Sequence, residues 1–138
     1  RVQCANNLKQ IGLAIRVWEG DYDDKYPTSI LLTSNELSTT KILICPGDKA
    51  RQPYASLGFG QFQENMSSYQ FTIKPDDESF PECIIARCPI HHNYLLADGS
   101  VQQIDPEKVY ITQKDGRWYL EPAKPGATYR DAITQKIK

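Results

Sequence analysis

The segment VYITQKDGRWYL, residues 109–120, constrains the fold more than any other part of the chain. Asp115-Gly116 stands between two runs rich in β-branched and aromatic residues, and this dipeptide is favoured in the two-residue type I′ turn of a β-hairpin. A two-residue turn fixes which residues face each other, so we expect Ile111 to lie opposite Leu120. The segment therefore predicts an antiparallel hairpin of defined register.

This register divides the hairpin into an apolar face and a polar face. The side chains that share the apolar face are Val109, Ile111, Trp118 and Leu120. The polar face carries Tyr110, Thr112, Lys114, Arg117 and Tyr119. Such a pattern is typical of an antiparallel sheet with one face covered and the other in water. We expect the N-terminal helix to cover the apolar face.

A second hairpin is predicted upstream, in NYLLADGSVQQI. Here Asp98-Gly99 separates two β-rich runs, which again favours a two-residue type I′ turn. Two further β-rich runs, SYQFTI and CIIARC, come before it. The sequence thus predicts an antiparallel sheet over residues 68–121, preceded by an irregular loop region at residues 21–67.

Residues 1–20 have the periodicity of an α-helix. Apolar side chains recur at spacings of four, three, four and three and form one helical stripe, which is Cys4, Leu8, Ile11, Ile15 and Trp18. This stripe is the predicted packing face of the helix. Gly20 is predicted to be the left-handed residue just past the helix end.

The fold class predicted from these elements is α+β, with a long N-terminal α-helix packed on an antiparallel β-sheet. Residues 122–138 are predicted to be an extension with a short C-terminal helix, because Tyr129, Ile133 and Ile137 recur every four residues. A chain of 138 residues is long enough for one domain. We therefore expect a single domain over residues 1–138.

The charge of the chain argues against one class of partner. Its formal net charge is −1, whereas binding to a phosphate backbone needs a basic surface. We expect no nucleic-acid partner.

The stretch CPIHHNYLLADGS brings residues with catalytic and metal-binding chemistry close together in sequence. Cys88, His91, His92 and Asp98 are all acceptable zinc ligands. If residues 93–97 form a strand, however, Asp98 lies roughly 20 Å beyond the histidines. We predict a histidine-bearing connector that leads into a hairpin, with no catalytic residue, no metal and no cofactor. A metal-dependent enzyme that uses His91 and His92 with Cys88 or Asp98 is the alternative.

The four cysteines permit disulfides. Cys45 and Cys88 each end a short apolar run and precede a proline, and a disulfide between them is the first prediction. Cys83 and Cys88 are five residues apart and face opposite ways within one strand, so they would pair poorly. Cys4 lies on the helix stripe and is either a small buried hydrophobe or a bridge partner.

Several motifs resemble one bacterial family. The segment CANNLKQIGLAIRVWEGDYDDKYP resembles the helix that follows the membrane anchor in type IV pilin-like pseudopilins of planctomycetes and verrucomicrobia. NYLLADGSVQQI resembles the processing-associated domain of the same group, in which a histidine is followed nine residues later by Asp-Gly; here six residues separate His91 from Asp98. CPGD at 45–48 and SSYQF at 67–71 resemble two further landmarks of that family.

The resemblance implies a structural subunit of a type II secretion or pilus-like assembly, and no enzyme. Family members have a leader cut by a prepilin peptidase and an apolar helix that runs on into the helix seen here. We therefore expect a hydrophobic stretch of about 20 residues upstream of Arg1. It would anchor a periplasmic head in the inner membrane of the bacterial cell envelope. The implied partners are other pseudopilin subunits, bound through the N-terminal helix, and a secreted cargo.

A third hypothesis comes from another functional class. Tyr110 and Tyr119 are predicted on the polar face of the sheet, and exposed aromatic side chains suit a periplasmic carbohydrate-binding domain.

Overall fold

The computed structural model of the chain describes residues 2–122. Within them an N-terminal helix packs against a six-stranded antiparallel sheet, which is an α+β architecture. The helices are α1 (Val2–Gly20) and the single-turn α2 (Ser34–Leu37). The strands are β1 (Gln70–Phe71), β2 (Ile84–Cys88), β3 (Asn93–Leu96), β4 (Val101–Gln103), β5 (Val109–Lys114) and β6 (Arg117–Pro122). The C-terminal helix predicted around Tyr129, Ile133 and Ile137 lies outside the described residues.

Helix α1 buries the predicted stripe. Four of its members are completely buried, namely Cys4, Leu8, Ile11 and Ile15. Trp18 is half-buried and stacks on Tyr22, with 4.0 Å between ring centroids. The left-handed residues after the helix are Asp23 and Asp24, whereas Gly20 is still helical, so the prediction for Gly20 was wrong. Within residues 2–122 no helix combines the length and the apolar character needed to cross a membrane.

The sheet has the order β4-β3-β2-β6-β5. Strand β3 occupies one edge of β2, and β1 and β6 share the other edge. Helix α1 contacts β2, β3 and β4, so the main core lies between the helix and this half of the sheet. The stretch from Asp21 to Tyr69 contains no strand and is built from turns and short helical segments, including 3₁₀ turns at Ile30–Thr33, Thr40–Leu43, Lys49–Ser56 and Glu64–Met66.

The hairpin at Asp115-Gly116 has the predicted turn and register. Asp115 and Gly116 have φ angles of +51° and +80°, as a type I′ turn requires at both central positions. Ile111 pairs with Leu120. The prediction from sequence is confirmed because this turn type leaves no freedom in the pairing.

The hairpin at Asp98-Gly99 differs from its prediction. Leu96 donates its N–H to the carbonyl of Ser100 at 2.9 Å and accepts from the N–H of Gly99 at 2.9 Å. Gly99 has a φ of +91°, whereas Asp98 does not have a positive φ. The connection is therefore a three-residue loop in which a left-handed glycine follows a type I turn. The carboxylate of Asp98 accepts from the N–H and the hydroxyl of Ser100, and these bonds stabilise the longer loop.

The apolar face of the β5–β6 hairpin is not covered by α1, contrary to expectation. Ile111 and Trp118 belong to a second, smaller core that includes Ile84 and Tyr94. Trp118 pairs with Ile84, so the hairpin continues the face of the sheet that Ile84 and Tyr94 share. Helix α1 lies on the opposite face, where Leu95 is part of the main core. The alternation within a hairpin shows which residues share a face, but it does not show which neighbour covers them.

Candidate functional site

Four side chains with metal-ligating chemistry meet at one point in the main core, although they are far apart in the sequence. They are Cys4, Cys45, Cys88 and His91, and their ligand atoms all lie within 4.8 Å of one another. The three cysteines are completely buried, and His91 is half-buried. We call these four residues the cysteine–histidine cluster.

Four different segments supply the members of the cluster. Cys4 lies in the first turns of α1, on its buried face. Cys45 follows the 3₁₀ turn Thr40–Leu43, at the point where an apolar run ends. Cys88 is the last residue of β2, and His91 lies in the turn that leads to β3. The cluster therefore sits where α1, the irregular segment and the sheet meet.

The short distances in the cluster centre on the imidazole and two sulfurs. His91 Nδ1 lies 3.2 Å from Cys45 Sγ and 3.8 Å from Cys88 Sγ, and the two sulfurs are 3.7 Å apart. The backbone of Gly47 partly offsets the rise in pKa that burial causes at Cys45, and the backbone of His91 acts in the same direction on the pKa of Cys88.

The predicted Cys45–Cys88 disulfide is not formed. The two sulfurs are neighbours, yet 3.7 Å between them exceeds the length of about 2.05 Å of an S–S bond. Cys4, Cys45, Cys83 and Cys88 are all free thiols. Both sulfurs also lie near His91 Nδ1, so the pair is part of a larger group of side chains.

The members of the cluster differ in how readily they ionise. The neighbouring Cys88 lowers the pKa of Cys4, against the opposing effect of burial. The side chains of Asn93, His91 and Tyr69 lower the pKa of Cys4 in the same direction. The neighbouring Cys4, together with burial, raises the pKa of Cys88 well above its ordinary value. Ionisation within the cluster is therefore favoured at Cys4 over Cys88.

A layer of buried polar side chains surrounds the cluster. Asn7, one turn along α1 from Cys4, donates from Nδ2 to the hydroxyl of Tyr69 at 3.1 Å and to the carbonyl of Ile44 at 3.3 Å. Asn93 is completely buried, and neither end of its amide has a hydrogen bond of ordinary geometry. Asn93 lowers the pKa of Cys4, so its amide lies near that sulfur.

The structure separates the other candidate ligands from the cluster. His92 has a left-handed backbone, with a φ of +54°, and it is not among the converging residues. Asp98 is exposed at the tip of its hairpin. The fourth cysteine, Cys83, lies elsewhere in the core, where its Sγ donates to Asp77 Oδ1 at 3.6 Å. Burial raises the pKa of Cys83 to about 12.

The tyrosines proposed for carbohydrate binding are less exposed than expected. Tyr110 and Tyr119 are both half-buried, and Tyr119 packs against the main core. Since a sugar-stacking platform needs an open aromatic face, the structure gives this hypothesis little support.

The outer face of α1 is the second feature of functional interest. Along it, every third or fourth residue is exposed and forms one stripe, which is Val2, Asn6, Lys9, Leu13 and Val17. Three of these are apolar, and their exposed fractions are 74% for Val2, 64% for Leu13 and 51% for Val17. The outer face of the helix is thus mixed, with these three exposed apolar side chains beside the polar Asn6 and Lys9.

One local signal in the sequence points to the cluster. Cys88 and His91 are separated by two residues, which is a common spacing for two zinc ligands in one turn. Cys4 and Cys45 join them only through the tertiary fold.

Comparison of the chain with protein families, with curated proteins and with solved structures finds no match.

Proposed function

We propose that this chain is the head domain of a pseudopilin-like structural subunit of a type II secretion or pilus-like assembly. In this proposal an apolar helix upstream continues into α1 and anchors the protein in the inner membrane. The head stands in the periplasm and contacts neighbouring subunits and secreted cargo. The chain acts by assembly and has no catalytic role.

The observation that carries the proposal is the two-sided character of α1. One side of the helix is buried on the sheet through residues such as Leu8 and Ile11, while the other side exposes Leu13 and Val17. A helix that only covers a sheet has a polar outer face. Exposed apolar residues one turn apart, Leu13 and Val17, support lateral packing against the helices of other subunits. The fold class and the motif resemblance support the same function.

The enzymatic alternative receives less support. A catalytic zinc site keeps an open coordination position for water or substrate. The cysteine–histidine cluster offers four ligands to one point, three of them completely buried, and His92 and Asp98 do not contribute to it. The arrangement is typical of a site that holds a fold together.

The sequence encoded upstream of Arg1 tests the proposal. We expect a short basic leader followed by about 20 predominantly apolar residues that continue the helical periodicity of α1. A polar segment or a second globular domain at that position would contradict a membrane-anchored pseudopilin.

A further inference from the structure

We propose that Cys4, Cys45, Cys88 and His91 bind one Zn²⁺ ion in a four-ligand structural site. Three cysteine sulfurs and one imidazole are the Cys₃His ligand set of structural zinc centres. Thiolate and imidazole ligands also select zinc over hard cations such as calcium and magnesium, which prefer oxygen. The inference does not depend on the pseudopilin function, since either one can hold without the other.

The distances within the cluster match the edges of a zinc tetrahedron. With Zn–S bonds of about 2.3 Å and a Zn–N bond of about 2.0 Å, adjacent sulfurs lie about 3.8 Å apart, and sulfur and nitrogen about 3.5 Å apart. The observed separations are 3.7 Å between Cys45 and Cys88, and 3.2 and 3.8 Å from these sulfurs to His91 Nδ1. Cys4 completes the group within 4.8 Å. Small side-chain movements are sufficient to place all four ligands around one ion.

The surroundings of the cluster suit a metal thiolate. The backbone groups of Gly47 and His91, in the turns that follow Cys45 and Cys88, favour the thiolate forms of these cysteines, and the completely buried amide of Asn93 has no hydrogen-bond partner. In metal sites, polar groups just outside the ligands orient them and disperse the negative charge of thiolates.

Gly47 also makes room for the imidazole. A Cβ atom at this position would lie 2.9 Å from Cε1 of His91, which is too close for the ring to keep its place. The glycine therefore allows Nδ1 of His91 to face the sulfurs while Cε1 and Nε2 of the ring lie next to Gly47.

A zinc ion accounts for all four ligands, whereas a disulfide does not. A bond between any two of Cys4, Cys45 and Cys88 leaves the third, buried thiol and the half-buried imidazole of His91 outside the bond. Zinc would join α1, the irregular segment and the end of β2 through one centre. The inferred role of the zinc ion is to hold the start of α1 and the segment from Asp21 to Tyr69 against the sheet. That segment contains no strand, so it has no strand pairing of its own to stabilise it.

Metal analysis of the protein tests the site. The chain is purified without a metal column, reduced, freed of metal and titrated with Zn²⁺. We expect one zinc per chain, a Kd of about 10 nM or tighter, and four titratable thiols after denaturation with a chelator. We also expect the Tm of the zinc-free protein to be lower by about 10 °C. A folded, reduced chain that binds zinc more weakly than about 10 µM would overturn the proposal.

Two matched pairs of variants assign the ligands. His91→Ala should reduce zinc affinity at least about 100-fold, whereas His92→Ala should leave it unchanged. Cys88→Ser should weaken binding to a similar degree, and Cys83→Ser should not. Equal losses in His91→Ala and His92→Ala would show that the assignment is wrong.

Cobalt gives a spectroscopic test that does not depend on the stability of the variants. The wild-type chain with Co²⁺ should show the intense visible bands of a tetrahedral site and sulfur-to-cobalt charge transfer from three thiolates. An octahedral spectrum without charge transfer would contradict the Cys₃His geometry.

Discussion

Arg117 in β6 donates from Nε to Oδ1 of Asp77 at 3.1 Å, and both side chains are buried. Arg117 also forms an ion pair with Asp76 and lies over the ring of Phe80, 3.8 Å from its centroid. The second carboxylate oxygen of Asp77 accepts from the backbone N–H of Lys74 at 2.5 Å. The Arg117–Asp77 pair therefore fixes the β5–β6 hairpin to the turn that precedes β2.

We expect Asp77→Ala to lower the free energy of unfolding by about 3 kcal/mol, because it leaves a buried guanidinium without its buried partner. Lys114→Ala is the matched control, since it breaks an exposed ion pair with Glu121 at 3.9 Å. That change should lower the free energy of unfolding by less than about 1 kcal/mol. Urea denaturation measures the free energy of unfolding of both variants. Similar losses in the two would argue against a structural role for the buried Arg117–Asp77 pair.

Asn7 holds α1 against the segment that carries Cys45, through its bonds to Tyr69 and Ile44. We expect Asn7→Ala to lower the free energy of unfolding by about 1–3 kcal/mol, because it leaves buried polar groups without partners. The neighbouring Asn6 is exposed, so Asn6→Ala should change stability by less than about 0.5 kcal/mol. Chemical denaturation of both variants measures their free energies of unfolding. An Asn7→Ala variant as stable as the wild type would contradict a stabilising role for the hydrogen bonds of Asn7.

Glu19 makes the stability of the protein depend on pH. Burial raises the pKa of its carboxyl, Glu78 raises it further, and Arg16 opposes them. Only 7% of Glu19 is exposed, and its Oε2 has no hydrogen-bond partner. Since the folded state binds this proton more tightly than the unfolded state, the stabilisation from Glu19 is fully present below the ordinary pKa of 4.5. It is lost as the pH rises through the raised pKa.

The variant Glu19→Gln cannot ionise and should therefore be more stable than the wild type at pH 7, by about 1 kcal/mol. The difference should shrink as the pH falls toward 4. Urea denaturation between pH 4 and pH 7 measures it, with Glu107→Gln as an exposed control. A constant difference across this range would mean that Glu19 does not titrate as described.

The sequence predicts the local elements well, because local chemistry determines them. The 3.6-residue periodicity places Leu8, Ile11 and Ile15 on the buried face of α1, and Asp115-Gly116 determines the register of its hairpin. The loop at Asp98 was predicted one residue too short, because its Asx bonds to Ser100 compete with the type I′ turn.

The cysteine–histidine cluster could not be predicted in the same way. Cys4 lies on an apolar helical stripe and looks like an ordinary core residue, and Cys45 is separated from Cys88 by 42 residues of chain. Sequence reasoning identified Cys45 and Cys88 as neighbours, but it treated His91 as part of a connector. Only the packing of α1 across the end of β2 brings all four side chains to one point.

Site-specific photo-crosslinking in the native host tests the central claim, assembly through the outer face of α1, most directly. A photoreactive amino acid replaces Leu13 or Val17 in the full-length protein, and Glu107, exposed between β4 and β5, is the control position. The account predicts a ladder of subunit adducts from positions 13 and 17 and none from position 107. An absence of adducts from the helix, or equal adducts from all three positions, would contradict assembly through α1.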